Sequence, residues 1–160
     1  MKINAGFTLI ELIIVIAVLS ILSVAVLTTL NPITQFQKAD DARRKSDLGQ
    51  IQKALESYYQ DHSSYPASVN NKISDPQNGG TIAWGSAWGS YMNMLPKDPE
   101  APAASYAYVM TQNGQGYRLY ATLDRTNDPQ SCNGGSACAH TPGACIKPCL
   151  YAATSPNETQ

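Results

Sequence analysis

The side chains able to do chemistry are few in these 160 residues, and they are unevenly placed. Glu11 is a single carboxylate inside an apolar stretch, just beyond the Gly6–Phe7 bond. Cys132, Cys138, Cys145 and Cys149 crowd towards the C-terminal end, with His140 among them. Asp98, Asp124 and Asp128 stand at loop edges, where carboxylate oxygens suit calcium, a hard cation held by oxygen. No Asp-x-Asp-x-Asp-Gly loop frames them, so turn and capping roles compete for the same residues. His62 and His140 are the only histidines. Neither has a nucleophile to activate, and no glycine-rich phosphate loop occurs. The chain reads as a non-enzyme, and assembly or binding is the chemistry left to it.

Glu11 is the most informative of these groups. A carboxylate within an apolar helix costs about 2.5–3.5 kcal/mol on insertion scales. Three readings of Met1 to Leu30 compete. One is a secretory signal, with Lys2 as its basic end and Ser23-Val24-Ala25 as a small-residue cleavage site. The second is an uncleaved anchor, and the third is a signal cut ahead of the apolar segment. Only the third gives Glu11 a use. Cleavage after Gly6 frees an α-amino group on Phe7, which titrates near about 7.7–8 and is largely protonated at neutral pH. That cation on one subunit matches the Glu11 carboxylate of its neighbour.

Ala5-Gly6-Phe7-Thr8-Leu9-Ile10-Glu11-Leu12 resembles the class III signal of type IV pilins and type II secretion pseudopilins. The resemblance implies a prepilin peptidase that cuts between Gly6 and Phe7 and N-methylates Phe7. It implies assembly through Phe7 and Glu11 into a homopolymeric filament, driven by an inner-membrane platform and an ATPase. The precursor would sit once across the cytoplasmic membrane, in contact with lipid, before the filament reaches the cell surface. A pilin of a type IV pilus is the leading expectation. The alternatives are the major pseudopilin of a type II secretion system, and a minor pilin for adhesion or DNA uptake. Leu95-Pro96-Lys97-Asp98-Pro99 resembles the turn before the sheet of major pseudopilins, the proteins in which loop aspartates bind calcium.

These groups need a long helix and a small head to position them. Leu12 to Leu30 carries no charge, and about 20 such residues span a bilayer as a helix. Residues 7–30 are therefore expected to form the transmembrane and filament-core helix, behind a leader of residues 1–6. Asn31-Pro32 predicts a break. Leu48, Ile51, Leu55 and Tyr58 recur at helical spacing, which predicts an amphipathic second half over 31–62. Asp40, Asp41, Arg43, Arg44, Lys45, Asp47 and Lys53 are expected on its solvated side, paired along the helix.

Residues 63–128 are expected to form the head, giving an α+β, pilin-like fold with a small antiparallel sheet. Ala67 to Ser90 reads as loop, and Trp84 and Trp88 within it suit either a core or an exposed contact surface. Strands are predicted over Ser105–Thr111 and Tyr117–Leu123, joined through Asn113-Gly114-Gln115-Gly116. The second alternates Tyr117, Leu119, Ala121 and Leu123 with Arg118, Tyr120 and Thr122, which predicts one buried and one wet face. In the tail, 129–160, the four cysteines suit two disulfides in an exported protein, and three pairings are open. The spacing lacks the close ligand pairs of a structural zinc site. With 11 basic and 12 acidic residues, no clustered basic face points to nucleic acid.

Overall fold

The computed structural model describes residues 6–29, 31–139, 145 and 147–158. Residues 1–5 of the expected leader, Leu30 at the end of the expected membrane helix, and His140 lie outside the described residues. The chain divides into two compact units, Met1–Phe36 and Gln37–Gln160.

Helix α1 (Leu9–Thr29) occupies the first unit. Its apolar side chains are exposed, including Leu9, Ile10, Ile21 and Val24. The hydroxyls of Ser20 and Ser23 donate to the carbonyls of Ile16 and Leu19, each at 2.7 Å. Both groups are thus satisfied within the helix and need no water. Among the described residues, no helix is long and apolar enough to cross a membrane. The uncharged side chains described without a gap run from Leu12 to Val24, about 20 Å of helix against a hydrocarbon core of roughly 30 Å. The uncharged sequence itself continues to Leu30. Asn31 then takes a left-handed backbone (φ 39°), and Pro32 opens helix α2 (Pro32–His62). At this first helical position the missing proline N–H leaves no bond unmade.

In the second unit, Leu48, Ile51, Ala54, Leu55 and Tyr58 of α2 are buried in one apolar cluster. Facing them are residues of two small sheets. The first sheet, ordered β1-β2-β3, is antiparallel: β1 (Ala67–Val69), β2 (Lys72–Asp75) and β3 (Gly80–Thr81). This corrects the reading of Ala67–Ser90 as loop. Asn70 and Asn71 both adopt left-handed backbone (φ 50° and 58°), the two-residue turn whose twist matches the flanking strands. That turn pairs Val69 with Lys72 and places Ile73 in the core.

The second sheet, ordered β4-β5-β6, contains β4 (Ala107–Thr111), β5 (Gly116–Ala121) and β6 (Tyr151–Thr154). Strands β4 and β5 pair antiparallel from Ala107↔Tyr120 to Thr111↔Gly116. Strand β6 pairs with β5 from Arg118↔Thr154 to Ala121↔Tyr151, so the tail completes the sheet. Tyrosines tie the sheet to α2. The Tyr106 hydroxyl donates to Asp47 Oδ2 at 2.7 Å, and Tyr65 and Tyr117 both donate to Glu56. Each ring contributes apolar area while its hydroxyl finds an acceptor.

The expectation of one wet face on β5 is also corrected. Tyr120 and Thr122 are each 1% exposed. Ala107 and Tyr120 pack in a second cluster with Cys138 and Cys149, because the tail folds over that face. Two disulfides frame it, Cys132–Cys138 and Cys145–Cys149. Backbone bonds run from Cys132 N to the Leu150 carbonyl and from Cys138 N to the Cys149 carbonyl. Gly135 allows the close approach: its backbone is left-handed (φ 97°), and a Cβ there would strike the Thr126 carbonyl.

Gly49 is the opposite case. It lies within α2, and a Cβ added there would meet nothing within 4 Å. Gly49→Ala should therefore stabilise the head by about 0.5–1 kcal/mol through helix propensity alone. Denaturant midpoints of the detergent-solubilised full chain measure this, and a loss of stability would show an unrecognised constraint at Gly49.

Candidate functional site

Gly6 and Phe7 precede α1 in non-helical, exposed backbone. Phe7 is 82% exposed, and a Cβ on Gly6 would meet nothing within 4 Å. The peptide bond between them is therefore exposed. Thr8 caps the helix that follows. Its Oγ1 accepts the Glu11 N–H at 3.3 Å, while Glu11 Oε2 accepts the Thr8 N–H at 2.8 Å and its hydroxyl at 2.7 Å. This reciprocal capping box satisfies two of the N–H groups that a helix start leaves unpaired. It also fixes Glu11 on the first turn, beside the positive end of the helix dipole. One carboxylate oxygen is engaged by Thr8. The other has no hydrogen bond among the described residues.

The head holds a second concentration of polar groups, centred on Arg44. Its side chain is fully buried, as is that of Asp98. Nε donates to Asp98 Oδ2 at 3.1 Å, and Nη2 to Asp98 Oδ1 at 3.3 Å and Glu100 Oε2 at 3.1 Å. Nη1 donates to Asp124 Oδ2 at 2.9 Å and Asp41 Oδ1 at 3.4 Å. All five guanidinium N–H donors thus meet carboxylate oxygens, the full capacity of the group. Burial pulls the Arg44 pKa down, but the hydrogen bonds it donates to Asp98 and Asp124 outweigh it and leave the pKa raised.

The network continues outward. Arg125 bridges Asp41 at 3.1 Å and Asp128 at 2.7 Å, Lys45 meets Asp128 at 2.5 Å, and Lys147 meets Glu100 at 2.7 Å. Four cations thereby face five carboxylates.

The three aspartates singled out in the sequence do not converge on one point. Asp98 and Asp124 meet at Arg44, whereas Asp128 serves Lys45, Arg125 and the Gln130 N–H. The expected solvated face of α2 is corrected as well: Asp41, Arg44 and Asp47 are buried. The signal was present in the spacing, because the interval that carries Leu48, Ile51, Leu55 and Tyr58 leads back to Arg44 and Asp41. Trp88 is fully buried and donates its indole N–H to Asp75 Oδ2 at 3.1 Å. Trp84 is half-buried and packs edge-on against Tyr106.

Two family models match the chain. The prokaryotic N-terminal methylation motif matches residues 1–27, and type II secretion system (T2SS), protein G, matches residues 31–130. No curated protein and no solved structure matches it.

The outer carboxylates make the head acid-sensitive. Lys147 holds Glu100 below its ordinary value of 4.5. Burial alone would raise Asp128, but hydrogen bonds from Lys45 and the Gln130 backbone outweigh it and leave it below 3.8. A carboxyl with a depressed folded pKa binds fewer protons folded than unfolded, so its contribution is complete above the unfolded value and disappears as pH falls through the folded one. Stability should be level above about pH 5 and decline below about pH 4.5. Glu100→Gln should flatten part of that decline. Denaturant midpoints between pH 3 and 7 test this, and a level profile down to pH 3 would contradict it.

Proposed function

The chain belongs to the family of type II secretion system protein G, and from that membership we propose that it polymerises through its N-terminal helix into a pilin-like filament. It is a structural, pilin-like subunit made as a membrane-anchored precursor. The observation that carries the proposal is the methylation motif standing directly on an exposed apolar helix. Phe7, Leu9, Ile10 and the side chains after them bury little surface within their own chain. Exposed apolar area of this size needs lipid or other copies to cover it.

In this reading a prepilin peptidase cuts the Gly6–Phe7 bond and methylates Phe7. The processed helix stays in the cytoplasmic membrane until a growing filament takes it up. The free oxygen of Glu11 accepts the Phe7 amine of a neighbour, which neutralises a carboxylate that would otherwise be costly in an apolar bundle. Energy comes from an ATPase and an inner-membrane platform. Membership in the protein G family favours the pseudopilus of a secretion system over a long surface pilus. The second reading, a surface pilin or a minor pilin for adhesion or DNA uptake, draws support from the head's cover: residues 131–158 lie beyond both family matches, and Cys138 and Cys149 among them pack on Ala107 and Tyr120 of the sheet.

Intact-mass and N-terminal analysis of filaments sheared from cells tests the proposal. A chain beginning at methylated Phe7 and abundant in that fraction is expected for a major filament subunit. The same chain confined to membranes is expected for the secretion pseudopilus. A start at Met1 would sink the processing step. Glu11→Ala should lower filament yield on the order of tenfold or more while membrane insertion persists, and an unchanged yield would rule out the pairing of Glu11 with Phe7.

A further inference from the structure

The loop aspartates raise the question of whether the head takes calcium. Calcium gathers six to eight oxygens at about 2.3–2.6 Å around a single point. The carboxylates here are arranged differently. Oxygens of Asp41, Asp98, Glu100 and Asp124 lie 2.9–3.4 Å from three separate nitrogens of one planar group, the Arg44 guanidinium. Asp128 stands outside that ring, against Lys45 and Arg125. Among the described residues, no group of three or more metal-ligating side chains is placed to hold an ion. The residues do not fit calcium.

We propose that Arg44 is the resident cation of the head, a charge built into the chain that does the work a bound divalent ion would otherwise do, so that the fold is independent of calcium. Several observations carry this. The side chain is fully buried, and all five of its donors are used. It joins helix α2 to segments 54, 56 and 80 residues further along the chain, through Asp98, Glu100 and Asp124. For Asp98 and Asp124 it is the only ion-pair partner among the described residues, whereas Asp41 also has Arg125 and Glu100 also has Lys147. The planar fork matters because it serves both oxygens of Asp98 at once, which a lysine ammonium or a spherical ion does differently. The inference concerns the head alone and stands whichever filament the subunit builds.

Thermal unfolding of the processed full chain in detergent, followed by circular dichroism, tests it. Wild-type protein is expected to melt within about 1 °C in 5 mM calcium chloride and in 5 mM EDTA, and to retain no calcium after dialysis when measured by elemental mass spectrometry. A melting point raised by calcium, or stoichiometric calcium retained, overturns the proposal. Arg44→Ala strands the buried carboxylate of Asp98 and the part-buried one of Asp124 and should lower the melting point by about 10–20 °C. A fall under about 2 °C would equally overturn it. Should that variant yield no folded protein, Arg44→Lys decides: an intermediate melting point supports a role for the five-donor fork, and a wild-type value argues against it.

Discussion

A guanidinium buried without partners is among the most costly arrangements a protein can hold, so the position of Arg44 dictates much of the head around it. Its donors have to be met by acceptors, and these come from α2 itself, from the turn carrying Asp98 and Glu100, and from the residues that follow β5. Bringing those segments together also seats Leu95 in the core beside α2 and sets the exit of β5 against the helix. The constraint works by exclusion. A packing that displaced any one of these loops would leave a charge in a dry environment, whereas a misplaced leucine would cost far less. Continuous burial of one ion pair is weak evidence for net stability. Its stronger effect is on which arrangement of loops is tolerated at all.

The same logic explains how much of the head could be read from residues alone. The apolar stripe of α2, the β4–β5 pairing and the break at Asn31-Pro32 follow from period and turn chemistry, which are local properties. Arg44 and Asp41 share the stripe's spacing, yet a charged residue on that line looks like solvent exposure unless its partners are known. Apart from each other, their partners lie more than 50 residues away, and nothing local announces them. The sheet β1-β2-β3 is hard to read from the residues because its strands are two to four residues long and carry only two β-branched apolar residues, Val69 and Ile73. Strand β6 is hard to read for a related reason. Its four residues gain their place from β5 and from the disulfide frame, and their own propensity is modest.

At the other end of the chain the legible part was larger, because the motif is local throughout. Gly6, Phe7, Thr8 and Glu11 lie within a single turn's reach, and the structure adds the capping box that links the last two. Thr8 thus has a physical reason to stand where it does. It caps the helix that begins at Leu9, just beyond the exposed Gly6–Phe7 bond, and holds the carboxylate in one orientation. An apolar helix begun this way presents a defined end to whatever it meets, whether a peptidase, a lipid headgroup region or a second copy.

The tail's covalent frame bears on when a subunit becomes finished. Strand β6 is among the last residues of the chain, and its approach to β5 runs through both disulfides. Thiols are kept reduced in the cytoplasm and oxidised beyond it. A chain still on the cytoplasmic side would therefore lack the oxidised clasp that frames the outer face of the second sheet. In the proposed reading, in which the head is exported, closing of that outer face would follow delivery across the membrane. The two bridges would then mark a subunit whose head has left the cytoplasm, as a timestamp on its transit.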